Sequence, residues 1–210
     1  MMSNSGYYVK ITKIQKAKKH LSSVYIDGEF YALLDDDIIY QNNIKENDDV
    51  TLDDMEVLRD KSEFKRAREK ALYLLDFKDY SSYDMQKKLS KDYDSDVVLQ
   101  VIKSLEDMSF INDYDYAKRY ANTLLKLKNF SGKRIKLELL KKGIDKYIID
   151  DVIDNLCINP KEKIKELLLA KINFYSADER SKRRIVAKLI RMGYNYDDIK
   201  SAAYEMDIDL

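Results

Sequence analysis

From about Glu63 onward, apolar residues recur three and four positions apart, the period of helices with one buried stripe. Val97, Val98, Val101, Ile102 and Leu105 show the pattern most fully, at spacing i, i+1, i+4, i+5, i+8. The first sixty residues follow another rule. "KITKIQK" alternates apolar and polar residues, and "SVYIDGEFYALL" places two β-prone runs around Asp27-Gly28. That pair tolerates the positive φ of a tight primed turn, so the spacing predicts a β-hairpin. A short helix is predicted from Asp36 to Tyr40. A hairpin alone is marginal in water, so this extension is expected to pack on the helices that follow.

The helical part repeats. A shift of 50 residues places Ala67 on Ala117, Ala71 on Ala121, Ser81 on Ser131, Met85 on Ile135 and Leu89 on Leu139. A second shift of 50 carries Ser131 to Ser181, Arg134 to Arg184, Ile135 to Ile185, Leu139 to Leu189 and Gly143 to Gly193. Tandem units are the economical reading. The division is 1–61 for the extension, then three-helix repeats over 62–111, 112–159 and 160–210. Each has a long first helix ("FKRAREKALYLLDF", "YDYAKRYANTLLKLK", "KEKIKELLLAKINF"), a second helix starting near the shared serine, and a third with paired apolar positions. Ile148, Ile149, Val152, Ile153 and Leu156 match the stripe of the first unit, and Ile199, Ala202, Ala203 and Met206 match it less fully.

Local signals fit these cuts. Asp94, Asp145 and Asn195 stand where a short acceptor caps a third helix, and Asn159-Pro160 supplies a cap followed by a first-turn proline. Gly143 and Gly193 stand where the second helix must turn left-handed; Tyr93 replaces them in the first unit, whose turn is expected to differ. The fold class is therefore mainly α: tandem three-helix repeats in an elongated array, with a small N-terminal extension containing a β-hairpin.

Composition narrows the function. Hydrophobic residues make up 45% and charged residues 36%, with only 5 Gly and 1 Pro, a balance suited to amphipathic helices with charged outer faces. No apolar run is long enough to span a bilayer and "MMSNSGYYVKITK" lacks a signal-peptide core, so a cytoplasmic protein is expected. The single cysteine, Cys157, follows Leu156 at the end of an apolar stripe and is expected to be a buried structural thiol. The single histidine, His20, is expected to be solvated, and no zinc ligand set exists. The acid run Asp35 to Asp37 reads as a solvated face rather than a metal site. No catalytic constellation, metal or cofactor is expected.

Net charge is zero but unevenly placed: acids dominate from Asp35 to Asp60, bases from Lys118 to Lys142 and from Arg180 to Arg191. Ser131-Gly132-Lys133 invites comparison with a phosphate-binding loop, yet Leu127 stands where the first glycine of that motif belongs and Arg134 replaces its hydroxyl residue. The segment is instead a second helix with a charged flank. Arg134, Glu138 and Lys141 lie at i, i+4, i+7; their counterparts are Asp84, Lys88 and Lys91 before, and Arg184, Lys188 and Arg191 after. Only the last set is uninterrupted, with Lys182 and Arg183 beside it and no acid from Ser181 to Asn195. Lys133, Arg134, Lys141, Lys142, Lys182, Arg183, Arg184, Lys188 and Arg191 are the candidate residues for gripping a polyanion. Tyr114, Tyr116 and Tyr120 lie along one helix, and Tyr116 and Tyr120, which share a face with the alanines' neighbours, read as core rather than as stacking platforms.

Phe110 to Asp145 resembles the central segment of the RecX family, regulators of the RecA recombinase. The likeness rests on Asn112-Asp113, Tyr116-Ala117, Gly132 to Ile135, Glu138-Leu139 and Lys142-Gly143-Ile144, and the flanking units resemble the other repeats. The proline that the family places beside the central glycine is absent here. The resemblance implies a monomeric, non-enzymatic protein of DNA recombination, repair and the SOS response. Its partner would be the RecA filament on single-stranded DNA, in whose groove it would bind, modulating ATPase, strand-exchange and co-protease activities, with weak direct DNA contact and no membrane. Two other readings remain open: a helix-turn-helix-like protein acting directly on DNA, and a repeat scaffold for another partner.

Overall fold

The computed structural model describes residues 7–170 and 178–208. The chain divides into two compact units, Met1–Asp79 with Met85–Phe110, and Tyr80–Asp84 with Ile111–Leu210.

The first unit opens with strands β1 (Tyr8–Lys18), β2 (Leu21–Ile26) and β3 (Glu29–Asp35), helix α1 (Asp36–Gln41) and a short strand β4 (Asp49–Thr51). They form an antiparallel sheet of order β3-β2-β1-β4. Asp27 and Gly28 turn the predicted hairpin at φ 49° and 86°, both left-handed as a primed turn demands. Ile11, Val24, Ile26, Ala32 and Leu34 form the buried side of the sheet. They pack with Met55 and Leu58 of helix α2 (Leu52–Leu75).

Helix α2 starts earlier than its apolar period suggests. The Thr51 hydroxyl accepts from the Asp54 N–H at 3.1 Å and donates to the Asp54 carboxylate at 2.7 Å, a reciprocal cap inside the acidic segment. One continuous helix then serves two partners: Met55, Leu58 and Ser62 face the sheet side, and Ala67 and Ala71 are buried a turn or two later. Helix α4 (Ser95–Asp107) packs on it, burying the whole stripe Val97, Val98, Val101, Ile102 and Leu105. Met85 and Leu89 of α3 (Ser82–Leu89) are fully buried.

The acid run is not a solvated face at its first member. Asp35 is 2% exposed, caps α1 through the Asp37 N–H and lies 2.7 Å from the Lys65 ammonium. Its own N–H donates to the buried Ser62 hydroxyl at 2.7 Å. Asp36 pairs with Lys16 and Asp37 with Lys65, so a basic residue from another element meets each carboxylate. The hydrogen bonds that the Lys65 ammonium donates to Asp35 and Asp37 raise its pKa. His20 is exposed, as expected.

The second unit holds α5 (Asp113–Lys128), α6 (Gly132–Lys141), α7 (Lys146–Asn155), α8 (Pro160–Leu169), α9 (Glu179–Arg191) and α10 (Tyr196–Tyr204). The first three share one core of Ala117, Ala121, Leu124, Ile135, Leu139, Ile149 and Val152. The last three share another, of Ile164, Leu168, Leu189, Ile199, Ala202 and Ala203. Tyr116 is buried in the first core with Tyr120 partly buried against it, as read from the sequence; their rings stack, and Tyr114 is exposed, its hydroxyl donating to Asp151 at 2.9 Å. The expected end of the first helix of the third repeat, 171–174, lies outside the described residues.

Three local expectations are corrected. Cys157 is exposed: α7 stops at Asn155, and Cys157 takes φ 47°, turning the chain outward before the apolar stripe reaches the thiol. Helix α9 begins a turn before Ser181, because Asp178 accepts from the Ser181 N–H at 2.9 Å and takes the cap. Asp145 and Asn195 hold cap positions without a side-chain cap bond, whereas Asp94 and Asn159 do cap.

Candidate functional site

The candidate residues sit on α6 and α9, and a repeated joint within the second unit sets how those helices meet. The Ser131 N–H donates to the Met192 carbonyl at 2.9 Å, and the Tyr194 hydroxyl donates to the Asn129 carbonyl at 3.1 Å. Gly193, at φ 94°, lies so close that a Cβ there would meet Ser131 Oγ at 2.5 Å and Arg134 Cβ at 2.6 Å. The same joint occurs 50 residues earlier: the Ser81 hydroxyl donates to the Lys142 carbonyl at 2.8 Å, and Gly143 faces Tyr83 Cβ at 2.3 Å from an added Cβ. The glycines therefore do two things, turning the helix end and admitting a neighbouring helix start. Burial pushes the Tyr194 phenol up to about 12.

This joint brings Lys133 and Arg134 of α6 beside Arg191 of α9. They rim an open groove of about 740 Å³ whose floor includes Leu137, Ile190 and Tyr196. Those three stay 47%, 48% and 50% exposed, a concentration of apolar surface among cations. Lys182 and Arg183 border an adjoining hollow that shares Ile190 and Tyr196. Leu137, Ile190 and Tyr196 escaped the sequence reading. Their signal was present, since each is apolar but stands outside the stripe of its own helix.

The cations differ in how far they are already engaged. Arg134 reaches Glu138 at 2.8 Å and lies over the Phe130 ring at 5.5 Å, while Lys141 meets the same Glu138 at 3.0 Å. One carboxylate thus serves two cations, and the α6 flank is half neutralised within itself. Lys142 points elsewhere, to Asp84 at 2.7 Å, and that hydrogen bond raises its pKa. Lys182 pairs with Glu179 at 3.3 Å. Arg183, Arg184, Lys188 and Arg191 are exposed and have no ion pair among the described residues. Lys188 occupies the position of Glu138, which leaves the stripe Arg184, Lys188, Arg191 without an internal counter-charge.

Exposed cations beside apolar surface are the chemistry that a polyanion or an acidic protein face would require of a partner. No cluster of metal-ligating side chains occurs among the described residues. No described helix is long and apolar enough to cross a membrane.

Comparison with known proteins agrees on family. Residues 67–105 match the family description "RecX, first three-helix domain" and residues 112–153 match "RecX, second three-helix domain". A Regulatory protein RecX from Clostridium botulinum is 30% identical over 205 residues, covering 93% of this chain and 95% of its own. A RecX crystal structure from Lactobacillus salivarius is 30% identical, with TM-score 0.58 over 69% of this chain and 97% of that one. Another RecX crystal structure, at 22% identity, shares the fold with TM-score 0.62 over 92% of this chain and 99% of its own.

Proposed function

The chain belongs to the RecX family, and from that premise we propose that it binds the RecA filament on DNA and inhibits its activities. The observation that supports this reading most directly is the exposed stripe Arg184, Lys188 and Arg191, which has no ion pair among the described residues and whose last member rims an apolar-floored groove. A filament presents acidic and apolar surface repeatedly, and units at a 50-residue pitch suit a partner that repeats. The divisions 62–111, 112–159 and 160–210 are the units we assign to that contact. The chain acts as a monomer and without chemistry of its own. Regulation then comes from occupying filament surface.

The test is RecA-dependent ATP hydrolysis on single-stranded DNA, titrated with the full chain and with the Arg184→Glu, Lys188→Glu, Arg191→Glu variant. All three side chains are exposed, so the variant should keep its circular dichroism spectrum. Inhibition is expected to weaken by about tenfold or more in the concentration required. Undiminished inhibition by the folded variant removes the stripe from this role. Tight, sequence-selective duplex binding in the absence of RecA would instead favour direct action on DNA.

A further inference from the structure

The N-terminal sheet has one face against α2 and another that the filament reading leaves unused. Tyr25 lies between the buried residues Val24 and Ile26, so its side chain is on the side away from that core. Its strand partners are Lys13 on β1 and Phe30 on β3, which share its face. Tyr8 and Lys10 alternate with Val9 and Ile11 and take the same outer side. A register shift between Lys16 and Lys18 puts Lys18 opposite Leu21, two strand steps from Tyr25 on that side. The two irregularities in β1 thus place Lys10, Lys13 and Lys18 together, instead of letting strict alternation divide them.

We propose that this outer face, with Lys10, Lys13 and Lys18 beside Tyr8, Tyr25 and Phe30, binds single-stranded polynucleotide. Tyr8 is 75% exposed and Phe30 57% among the described residues, apolar surface gathered beside cations. Phe30 meets Tyr25 edge-on, with centroids 5.8 Å apart and planes at 76°, and the Lys13 ammonium is 5.6 Å from the Tyr25 centroid. Flat π-faces on a sheet accept unstacked bases of any identity, and lysines along one strand follow the phosphates. Lys10 to Lys18 spans about 26 Å at about 3.3 Å per residue, room for several nucleotides.

Charge supports the same occupant. The first 26 residues contain five lysines and no acid. Lys16 is committed to Asp36, but Lys10, Lys13 and Lys18 have no ion pair among the described residues. Asp49, opposite Lys10 on β4, is the acid that the register sets on this face. Two further carboxylates lie along β1 and are held by its backbone: Asp27 accepts from the Lys10 N–H at 3.0 Å and Glu46 from the Ile14 N–H at 2.7 Å. Glu29 pairs opposite Ile26 and takes the other side. A duplex would satisfy the lysines but hide its bases from the rings. An acidic protein would leave the rings without a reason.

Fluorescence anisotropy of labelled oligo-dT, oligo-rU and a duplex, with the full chain at low salt, tests this. Single strands should bind more tightly than duplex, and the stronger of the two single-strand arms identifies DNA or RNA as the source. Lys10→Glu with Lys13→Glu should weaken binding about tenfold or more, and Phe30→Ala about fivefold or more. The chain has no tryptophan, so Phe30→Trp supplies a single fluorophore that a stacked base should quench. The proposal fails if single strands do not bind, or if the folded lysine or Phe30→Ala variants bind like wild type. It also fails if the tryptophan is not quenched, or if poly-glutamate competes with the same dependence on Phe30. Single-strand binding that is lost in the Arg184, Lys188, Arg191 charge reversal but kept in Lys10→Glu with Lys13→Glu would place the strand on α9 and overturn this proposal without touching the filament test.

Discussion

Replacing Gly193 with alanine tests the joint on which the candidate site depends. Two effects add. The residue sits at φ 94°, where an L side chain costs roughly 1–2 kcal/mol. The new Cβ would also lie 2.5 Å from Ser131 Oγ and 2.6 Å from Arg134 Cβ, with the Arg134 backbone nitrogen at 3.2 Å. Neither near atom is the free end of a long side chain, so relief requires α6 and the turn to separate, at about 1–3 kcal/mol. The expected total is roughly 2–5 kcal/mol. Gly28→Ala is the matched control: its φ is 86°, yet nothing lies within 4 Å of an added Cβ, so only the backbone cost applies. Urea unfolding followed by circular dichroism should place Gly193→Ala below Gly28→Ala by about 1–3 kcal/mol. Amide exchange at Ser131, whose N–H donates to Met192, should accelerate in the first variant alone. Equal stability of the two variants would refute the close-approach argument.

Other outcomes follow from the same contacts. Ser62→Ala leaves the buried Asp35 N–H without its acceptor and should cost about 1–3 kcal/mol in urea unfolding. Tyr194 ionises at about 12 when folded but near its ordinary value of about 10 when unfolded. The unfolded state therefore loses that proton first, and stability should fall as pH rises from about 10 towards 12, less so in Tyr194→Phe. On the acid side, the Lys16 hydrogen bond holds Asp36 below its ordinary range, Ser181 does so for Asp178, and Lys161 followed by Lys165 does so for Glu205. Their stabilisation is present above the unfolded carboxylate value of about 4 and is lost as pH falls through the lower folded values. Asp36→Asn should flatten that acid limb, and an unchanged slope would remove Asp36 from the account.

Much of this was readable from local chemistry. Asp27-Gly28 specifies its turn because both residues tolerate positive φ, and the α4 stripe specifies burial because its spacing lines one helix face. What was not readable involved competition or distance. Asp178 and Ser181 are both credible caps by residue type, and in the fold Asp178 takes the position, accepting from the Ser181 N–H. Thr51 starts α2 inside the acidic segment, ahead of the apolar period that sets in near Glu63, because first-turn carboxylates favour a helix start. Asp35 looked solvated until α2 brought Lys65 and Ser62 to it, a pairing across 30 and 27 residues that no local pattern encodes. The exposed face of β1 depends on two register shifts, and a single misplaced residue would send its lysines to the wrong side.

The candidate site shows why a sequence period cannot by itself assign roles. Arg134 and Arg184 occupy one position in the repeat, but Gly193 packs on the Cβ of Arg134, and its Nε is buried with no hydrogen-bond partner among the described residues. No described glycine turn packs on Arg184 in the same way, and it remains exposed. The next position along the flank then separates them electrostatically, Glu138 closing the first copy into an internal ion network and Lys188 leaving the second open. Architecture constrains the serine and the glycine in both copies, because the same joint uses them. Charge on the flank is free to diverge, and an open cationic stripe is expected where the joint is not consuming the arginine. Exchanging the two residues makes this testable: Lys188→Glu should reproduce part of the triple variant's loss of RecA ATPase inhibition, whereas Glu138→Lys should cost α6 its internal pairs and only partly restore that inhibition.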